Sequence, residues 1–379
     1  MNNKVLIYAD LLLPYSATFI SQQVNHLRRY ESKYFGTILQ EPLPFHLSTE
    51  QIFAYENIRK LTKIDRGWIK LTGKLPPNII SQFEQKRPDL IHAHFGPDAL
   101  WALSLKKRLK IPLITTIHSP DSSLFSFNTR LSYKYYLLNR SKLFKDGDKI
   151  IAVSEFIKTK LLAAGCPEEK IFLHYIGIDI EKISPNLSIL REDIVLYVGR
   201  LVEYKGCDYL IRAMSAIQTF SPQTKLIVIG DGPKRHDLEI LAQTSNVDCQ
   251  FLGIQPPQKV WEWMNRSKVF CMPSFTTDDG HSEAFGMVFA EAQAMKLPVV
   301  SFKSGGISEV VIHGQTGFLA EEKNLDQLSS YILKLLQDTG LWNQFSQNAR
   351  DWVIQKFDIK KQTAILEDFY DSVLIKAGH

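Results

Sequence analysis

The chain of 379 residues has only four cysteines, Cys166, Cys207, Cys249 and Cys271, and no two of them form a CxxC pair. Such spacing supports neither a zinc site nor a disulfide framework, and buried free thiols are the simpler expectation. Long apolar runs are missing too. No stretch approaches the roughly 18–20 consecutive apolar residues that a bilayer-spanning helix needs. The opening segment Met1-Asn-Asn-Lys-Val-Leu-Ile-Tyr8 is short of apolar length and lacks a small-residue cleavage pattern, so it reads as a first buried strand and not as a signal peptide. A cytoplasmic protein is expected. Short-period repeats and low-complexity tracts are absent, which excludes solenoid and disordered classes.

The composition is that of a globular enzyme, 45% hydrophobic and 22% charged, and the length suits two cores better than one. A net charge of +5 conceals an asymmetry. Residues 1–180 hold 25 Lys and Arg against 16 Asp and Glu, whereas the remainder holds 20 against 24. The basic half suits an anionic partner, such as a membrane surface or a phosphate-bearing acceptor. Two basic, aromatic stretches, 55–74 and 130–149, are the candidates for membrane contact.

Short β-rich runs alternate with helical patterns. Lys4–Tyr8, Leu90–His94, Pro112–Ile117 and Lys149–Val153 read as buried parallel strands, with amphipathic stretches at Thr18–Tyr30 and Asp98–Leu109 between them. The pattern restarts with Asp193–Val198, Lys225–Ile229, Lys268–Met272 and Leu297–Ser301, with helices at Tyr209–Gln218, Lys234–Thr244 and Phe289–Met295. The Pro/Ser/Asn segment from Ile183 to Ser188 suits a linker. From Leu325 to Ile375 the pattern is helical, with a break near Phe357-Asp358. The expected fold class is α/β, two doubly wound Rossmann-like domains facing a cleft. One spans 1–186 and takes back a helix over 358–379; the other spans 187–357.

Open α/β sheets place ligands at the carboxyl ends of their strands. Four loops of the second half follow strands there. In Val198-Gly-Arg-Leu-Val-Glu-Tyr-Lys-Gly206, Gly199 permits a close backbone approach, and Arg200 with Lys205 supplies two cations suited to a diphosphate. Ile229-Gly-Asp-Gly-Pro233 is either a nucleotide approach or a tight turn. In Glu283-Ala-Phe-Gly-Met-Val-Phe-Ala-Glu291, a helix is expected to begin after Gly286, its amides and dipole aimed at phosphate oxygens. Glu283 precedes that helix and can reach sugar hydroxyls, while Glu291, one turn in, can take a ribose diol. Ser304-Gly-Gly-Ile-Ser-Glu309 reads as a structural loop passing close beneath. Asp278-Asp279 resembles a metal motif, although paired acids in a polar loop are more often simply solvated.

Taken together, these elements resemble the donor domain of glycosyltransferase family 4, a retaining family with the GT-B fold. The match runs through Gly-Arg…Lys-Gly, Gly-Asp-Gly-Pro, Phe251-Leu-Gly253, Met272-Pro-Ser274, Glu-x7-Glu, and Gly-Gly-Ile with Thr-Gly-Phe-Leu. His92-Ala-His-Phe-Gly96 and Thr115-Thr-Ile-His118-Ser-Pro-Asp121 match the family's first half, as do Val153-Ser-Glu-Phe156 and Gly177-Ile-Asp179. The resemblance implies that Arg200 and Lys205 hold the diphosphate, Glu283 the transferred sugar and Glu291 the ribose. It places Gly199 and the backbone amides of Phe285, Gly286, Met287 and Val288 against the donor, the loop with Gly253 and Ile254 around the base, and His118 beside the reacting sugar. His92 and His94 read first as buried, hydrogen-bonded histidines. The first loop, Asp10-Leu-Leu-Leu-Pro-Tyr-Ser-Ala-Thr-Phe19, lacks the Gly-Gly pair common in the family. Acceptor contacts are therefore assigned to Ser16, Thr18 and His94. Thr276–Ser282 is longer than usual, which bears on sugar preference.

What the resemblance implies is a metal-independent hexosyltransferase without a cofactor. It would use a UDP-sugar, UDP-glucose first, for exopolysaccharide or envelope polysaccharide biosynthesis, on a saccharide or lipid-linked saccharide acceptor. No nucleic-acid partner is expected, and contact with an anionic membrane at the inner face is. The alternatives are a non-catalytic nucleotide-sugar-binding protein and another GT-B-fold enzyme, an epimerase or phosphorylase.

Overall fold

The computed structural model describes residues 3–12, 17–39, 43, 47–72, 74–119, 129–376 and 378. The chain divides into two compact units, Met1–Gly177 with Ile359–His379, and Ile178–Asp358. Residues 178–186, expected with the first domain, pack in the second unit. The Ile178 amide donates to the Phe357 carbonyl at 2.6 Å. The Arg350 guanidinium donates to the carbonyls of Ile180 and Ile183 at 2.9 and 2.7 Å.

The first unit is built on one sheet: β1 (Asn3–Tyr8), β2 (Tyr30–Phe35), β3 (Leu90–His94), β4 (Leu113–Ile117), β5 (Lys149–Ala152) and β6 (Ile171–Leu173). Its strands are all parallel, in the order β2-β1-β3-β4-β5-β6. The second unit has β7 (Glu192–Val198), β8 (Lys225–Ile229), β9 (Cys249–Phe251), β10 (Ser267–Cys271), β11 (Val299–Phe302) and β12 (Gly317–Ala320). These are again all parallel, ordered β12-β11-β10-β7-β8-β9. β3 and β4 are buried along their whole length, because helices cover both faces of a parallel sheet and leave no solvent face to be polar. All four cysteines are free, three of them buried and Cys249 partly so.

Four strands lay outside the expected set, β2, β6, β9 and β12, and each is an edge of its sheet. β6, β9 and β12 are only three or four residues long, too short for a run to mark them, and β2 carries Glu31, Ser32 and Lys33 across its middle. The helix expected over Thr18–Tyr30 ends at Asn25. The amides of Arg28 and Arg29 donate instead to the Glu367 carboxylate at 2.7 and 2.6 Å, and Tyr30 opens β2. The C-terminal run forms three helices, Leu325–Gln337, Thr339–Lys356 and Ile359–Lys376, with the expected break at 357–358. An additional break falls at Asp338, whose carboxylate caps the next helix by accepting from the Leu341 amide at 2.9 Å. The last helix belongs to the first unit and adds Leu366, Phe369, Tyr370, Val373 and Leu374 to its core.

Strand order reverses between β1 and β3 in the first sheet and between β7 and β10 in the second. Neighbouring helices there leave on opposite faces and open a crevice at the strands' carboxyl ends. These two switch points are where sites are to be sought.

Candidate functional site

In the second unit, β7 runs into Gly199-Arg200 and β10 into Met272-Pro-Ser274. The Gly199 amide donates to the Ile229 carbonyl at 3.0 Å, and a Cβ on Gly199 would lie 2.9 Å from the Met272 sulfur. The loop after β7 then turns through Gly206, whose φ of 67° starts the helix Cys207–Phe220. A Cβ on Gly206 would sit 2.0 Å from the Pro273 carbonyl oxygen, so only glycine lets the two loops touch. That contact carries Lys205 to the mouth of β10. There its ammonium pairs with the Glu283 carboxylate, the two side chains 13% and 14% exposed. So little exposure leaves the pair weakly screened. Burial is the largest single influence on Lys205 and would depress its pKa. The Glu283 charge, the nearby Tyr204 hydroxyl and the hydrogen bond to Glu283 together outweigh it and hold the ammonium above its ordinary value. The Lys205 nitrogen also lies 5.2 Å from the Tyr204 ring centre. Arg200 is exposed and forms no ion pair among the described residues.

The helix expected after Gly286 spans Met287–Ala294, with Gly286 at φ 81° as its cap. Its first amides have no acceptor within the helix and carry the positive end of its dipole, and Met287 and Val288 supply two of them. Phe285 is buried and packs edge-on against Phe357 at 5.2 Å. Glu291 lies in the second half of the helix, partly covered, and burial pushes its carboxyl up to about 7. The backbone around Glu283 is held from below. The Gly306 amide donates to the Glu283 carbonyl at 2.8 Å, and a Cβ on Gly305 would lie 2.1 Å from that oxygen. The Gly-Gly loop therefore passes beneath the site as its sequence suggested. Gly253 accepts from the Gly230 amide at 2.8 Å, at the neighbouring strand ends, and Ile254 beside it is 81% exposed.

The extended stretch before Glu283 closes on itself, the amides of Thr277 and His281 each bonding back across the turn. It is anchored by a residue that no motif marks. The Glu322 carboxylate accepts from the Thr276 amide at 3.1 Å and its hydroxyl at 2.8 Å. Glu322 follows edge strand β12, which explains why spacing along the sequence could not find it. Tyr204 also packs edge-on against His281 at 4.4 Å.

At the first unit's switch point, the Asp98 carboxylate accepts from the Asp10 amide at 2.9 Å and joins the loop after β1 to the first turn of the helix Gly96–Leu109 that follows β3. His94 pairs with Thr116 in the β3–β4 register. With a period of two, His92, His94, Thr116 and His118 lie on one face. His92 is satisfied at both ring nitrogens, by the Tyr370 hydroxyl and the Thr116 hydroxyl, each at 2.6 Å. It is the buried, hydrogen-bonded histidine that its sequence context suggested. His94 differs. Its Nδ1 lies 2.8 Å from Nε2 of His118, with the rings stacked at 13°. Phe19 and Phe95 flank His118 at 4.8 and 5.1 Å. Burial pushes His118 down to about 3, helped by nearby His92, and drives His94 well below its usual range. Thr18 is partly buried at the start of the helix Thr18–Asn25, next to Phe19. Ser16 lies outside the described residues.

Residues 179–352 match the family described as glycosyl transferases group 1, and residues 44–182 match glycosyltransferase family 4. An uncharacterized glycosyltransferase of Methanocaldococcus jannaschii is 30% identical over 304 residues, 79% of this chain and 79% of that protein. The capsular polysaccharide biosynthesis glycosyltransferase CapM of Staphylococcus aureus is 30% identical over 385 residues, 86% of this chain and 98% of its own. Among solved structures, Anabaena HepE in complex with UDP shares the fold with a TM-score of 0.74 at 19% identity, covering 98% of this chain and 100% of that one. HepE with UDP-glucose gives 0.72 at 20% identity, covering 97% and 99%.

Proposed function

The chain belongs to the glycosyltransferases, family 4 in its first half and group 1 in its second, and we propose that it moves a hexose from a UDP-sugar to a saccharide or lipid-linked saccharide with retention of configuration. The observation that carries this reading is the Lys205–Glu283 pair, set at a switch point next to a helix N-terminus. Cation and dipole favour a diphosphate, and the carboxylate a sugar hydroxyl. UDP-glucose is the first candidate donor, supported by the complexes that HepE forms. A role in polysaccharide assembly is supported by what CapM is named for.

In the proposed reaction an acceptor hydroxyl attacks the anomeric carbon from the side of the leaving group. The bond from that carbon to the diphosphate oxygen breaks, and the departing oxygen takes the acceptor's proton. Arg200, Lys205 and the amides of Met287 and Val288 stabilise the charge that develops on the diphosphate. Three positive elements at one place make a divalent ion unnecessary, and no cofactor enters. Gly199, the amides of Phe285 and Gly286, Glu291, and the loop with Gly253 and Ile254 complete the donor site. Ser16, Thr18 and His94 belong to the acceptor side, and His118 stands beside the reacting sugar. No helix among the described residues is long and apolar enough to cross a membrane. Helix Lys63–Thr72 nevertheless exposes Ile64 and Trp68, 83% and 59%, beside Lys60, Lys63 and Arg66, which suits the surface of an anionic inner leaflet.

A panel of sugar nucleotides tests the reading. A bound donor is expected to raise the melting temperature, UDP-glucose most. Transfer is expected to be untouched by a chelator, and the product should keep the donor's anomeric configuration by NMR. Stabilisation by GDP-sugars alone, an inverted product, or strict dependence on added Mn or Mg would each overturn the corresponding part. Sedimentation with phosphatidylglycerol vesicles, lost with Trp68→Ser, tests the membrane contact.

A further inference from the structure

His94 and His118 share one hydrogen bond, and each has a second, buried ring nitrogen with no partner among the described residues, Nε2 of His94 and Nδ1 of His118. Both imidazoles are neutral at neutral pH, since burial keeps them so. Each therefore carries one proton, and only two arrangements are consistent with a bond between Nδ1 of His94 and Nε2 of His118. In one, His94 donates, and the unpaired N–H is Nδ1 of His118. In the other, His118 donates, and the unpaired N–H is Nε2 of His94. A buried N–H without an acceptor is the rarer and costlier defect, and a bare lone pair is the more tolerable one. His94 is only 1% exposed and lies beneath His118, beside the ring of His92 at 4.4 Å. Both orphaned nitrogens are buried, but His94 sits inside β3 against His92, whereas His118 follows β4 at the strands' carboxyl ends with its residue partly exposed, so a ligand arriving at that crevice meets His118 first.

We infer that His94 is a positioning residue that locks His118 in the tautomer protonated at Nδ1, so that His118 acts on the substrate as a neutral hydrogen-bond donor to a saccharide oxygen and not as a base. With Nδ1 occupied by a proton and Nε2 filled by His94, His118 has no free lone pair to take a proton from an acceptor hydroxyl. The role assigned to His94 thus moves from touching the acceptor to setting the ring of His118. A partner that fixes a histidine's tautomer through its far nitrogen is a general device.

The experiment uses the full chain with 15N-labelled histidine. In the wild type, His118 is expected to show a protonated Nδ1 and a bare Nε2, assigned by comparison with His118→Phe. In His94→Phe, which keeps an aromatic ring and removes the donor, His118 should become a tautomer mixture. Its kcat/KM for transfer should fall about tenfold or more, with UDP affinity unchanged. In His94→Asn, whose amide puts a donor near the place of Nδ1, transfer should stay within about threefold of wild type. A wild-type His118 protonated at Nε2 overturns the inference, as does His94→Phe with both tautomer and transfer unchanged. Should His94→Phe fail to fold, the wild-type spectrum and His94→Asn still decide. The transfer measurements rest on the glycosyltransferase reading and the spectra do not, so the failure of one is distinguishable from the failure of the other.

Discussion

The two switch points share an architecture and differ in their electrostatics. At β7/β10 the chain gathers formal charge, Lys205 against Glu283 with Arg200 nearby, and a helix start adds a partial positive charge. At β1/β3 it gathers aromatic rings and two neutral imidazoles from which burial has removed the charge. A parallel sheet offers both kinds of crevice at the same topological place, so the side chains and not the fold decide what binds. An anionic leaving group needs the first kind. A neutral hydroxyl, which must be oriented and not neutralised, suits the second.

The contrast breaks most visibly if the charged site is disarmed. Lys205→Ala or Arg200→Ala should lower kcat for transfer by about a hundred- to a thousandfold, because a donor aimed at developing charge has that effect when lost. The melting temperature should stay near wild type for the exposed Arg200 and fall for Lys205, whose loss leaves the Glu283 carboxylate buried without its partner. Near-wild-type turnover from either variant would remove the diphosphate from this site. Glu283→Gln is the sharper test. Glu283 pairs with the Lys205 ammonium, so its carboxylate would compete with a diphosphate for that cation. The amide should cut transfer about a hundredfold yet tighten UDP binding about three- to fivefold in a calorimetric titration. Weaker UDP binding would mean that the pair does not exchange partners. The smallest effect concerns pH. Burial raises the Glu291 carboxyl to about 7 in the folded chain, above its unfolded value. Its protonated form therefore favours folding below the ordinary carboxylate range, and that contribution is lost as pH rises to about 7 and beyond. Between pH 5 and 8 the melting temperature of the wild type should drop relative to Glu291→Gln, while UDP binding strengthens as the carboxylate forms to accept the ribose hydroxyls. Parallel curves would exclude this.

Much of the donor site was readable because its chemistry is written locally. A glycine at positive φ, a cation five residues after another, and an acid ahead of a helix start leave marks within a few neighbours. What resisted was everything that depends on packing at a distance. Of the edge strands, β6, β9 and β12 are too short to stand out and β2 is polar across its middle, and Glu322 follows one of them. The helix from Thr18 was drawn too long because the acceptor for the amides of Arg28 and Arg29 comes from Glu367, in a helix more than 300 residues later. His92 and His94 looked alike in sequence, two residues apart on one strand face. They part company only because Tyr370 and Thr116 reach one, and His118 reaches the other.

The sequence alone determined that there would be two parallel α/β units, and it supplied the loops after their strands and the residues Arg200, Lys205, Glu283 and Glu291 on which the proposed donor half rests. Hydrophobic periodicity and glycine placement are local properties, and local properties survive in a linear string. Only the tertiary structure decided that Lys205 and Glu283, 78 residues apart, neutralise each other, and that His94 reaches His118. Burial and contact set which charges and protons are kept. Both depend on distance in space, which the strand crossovers, and not the order of residues, determine.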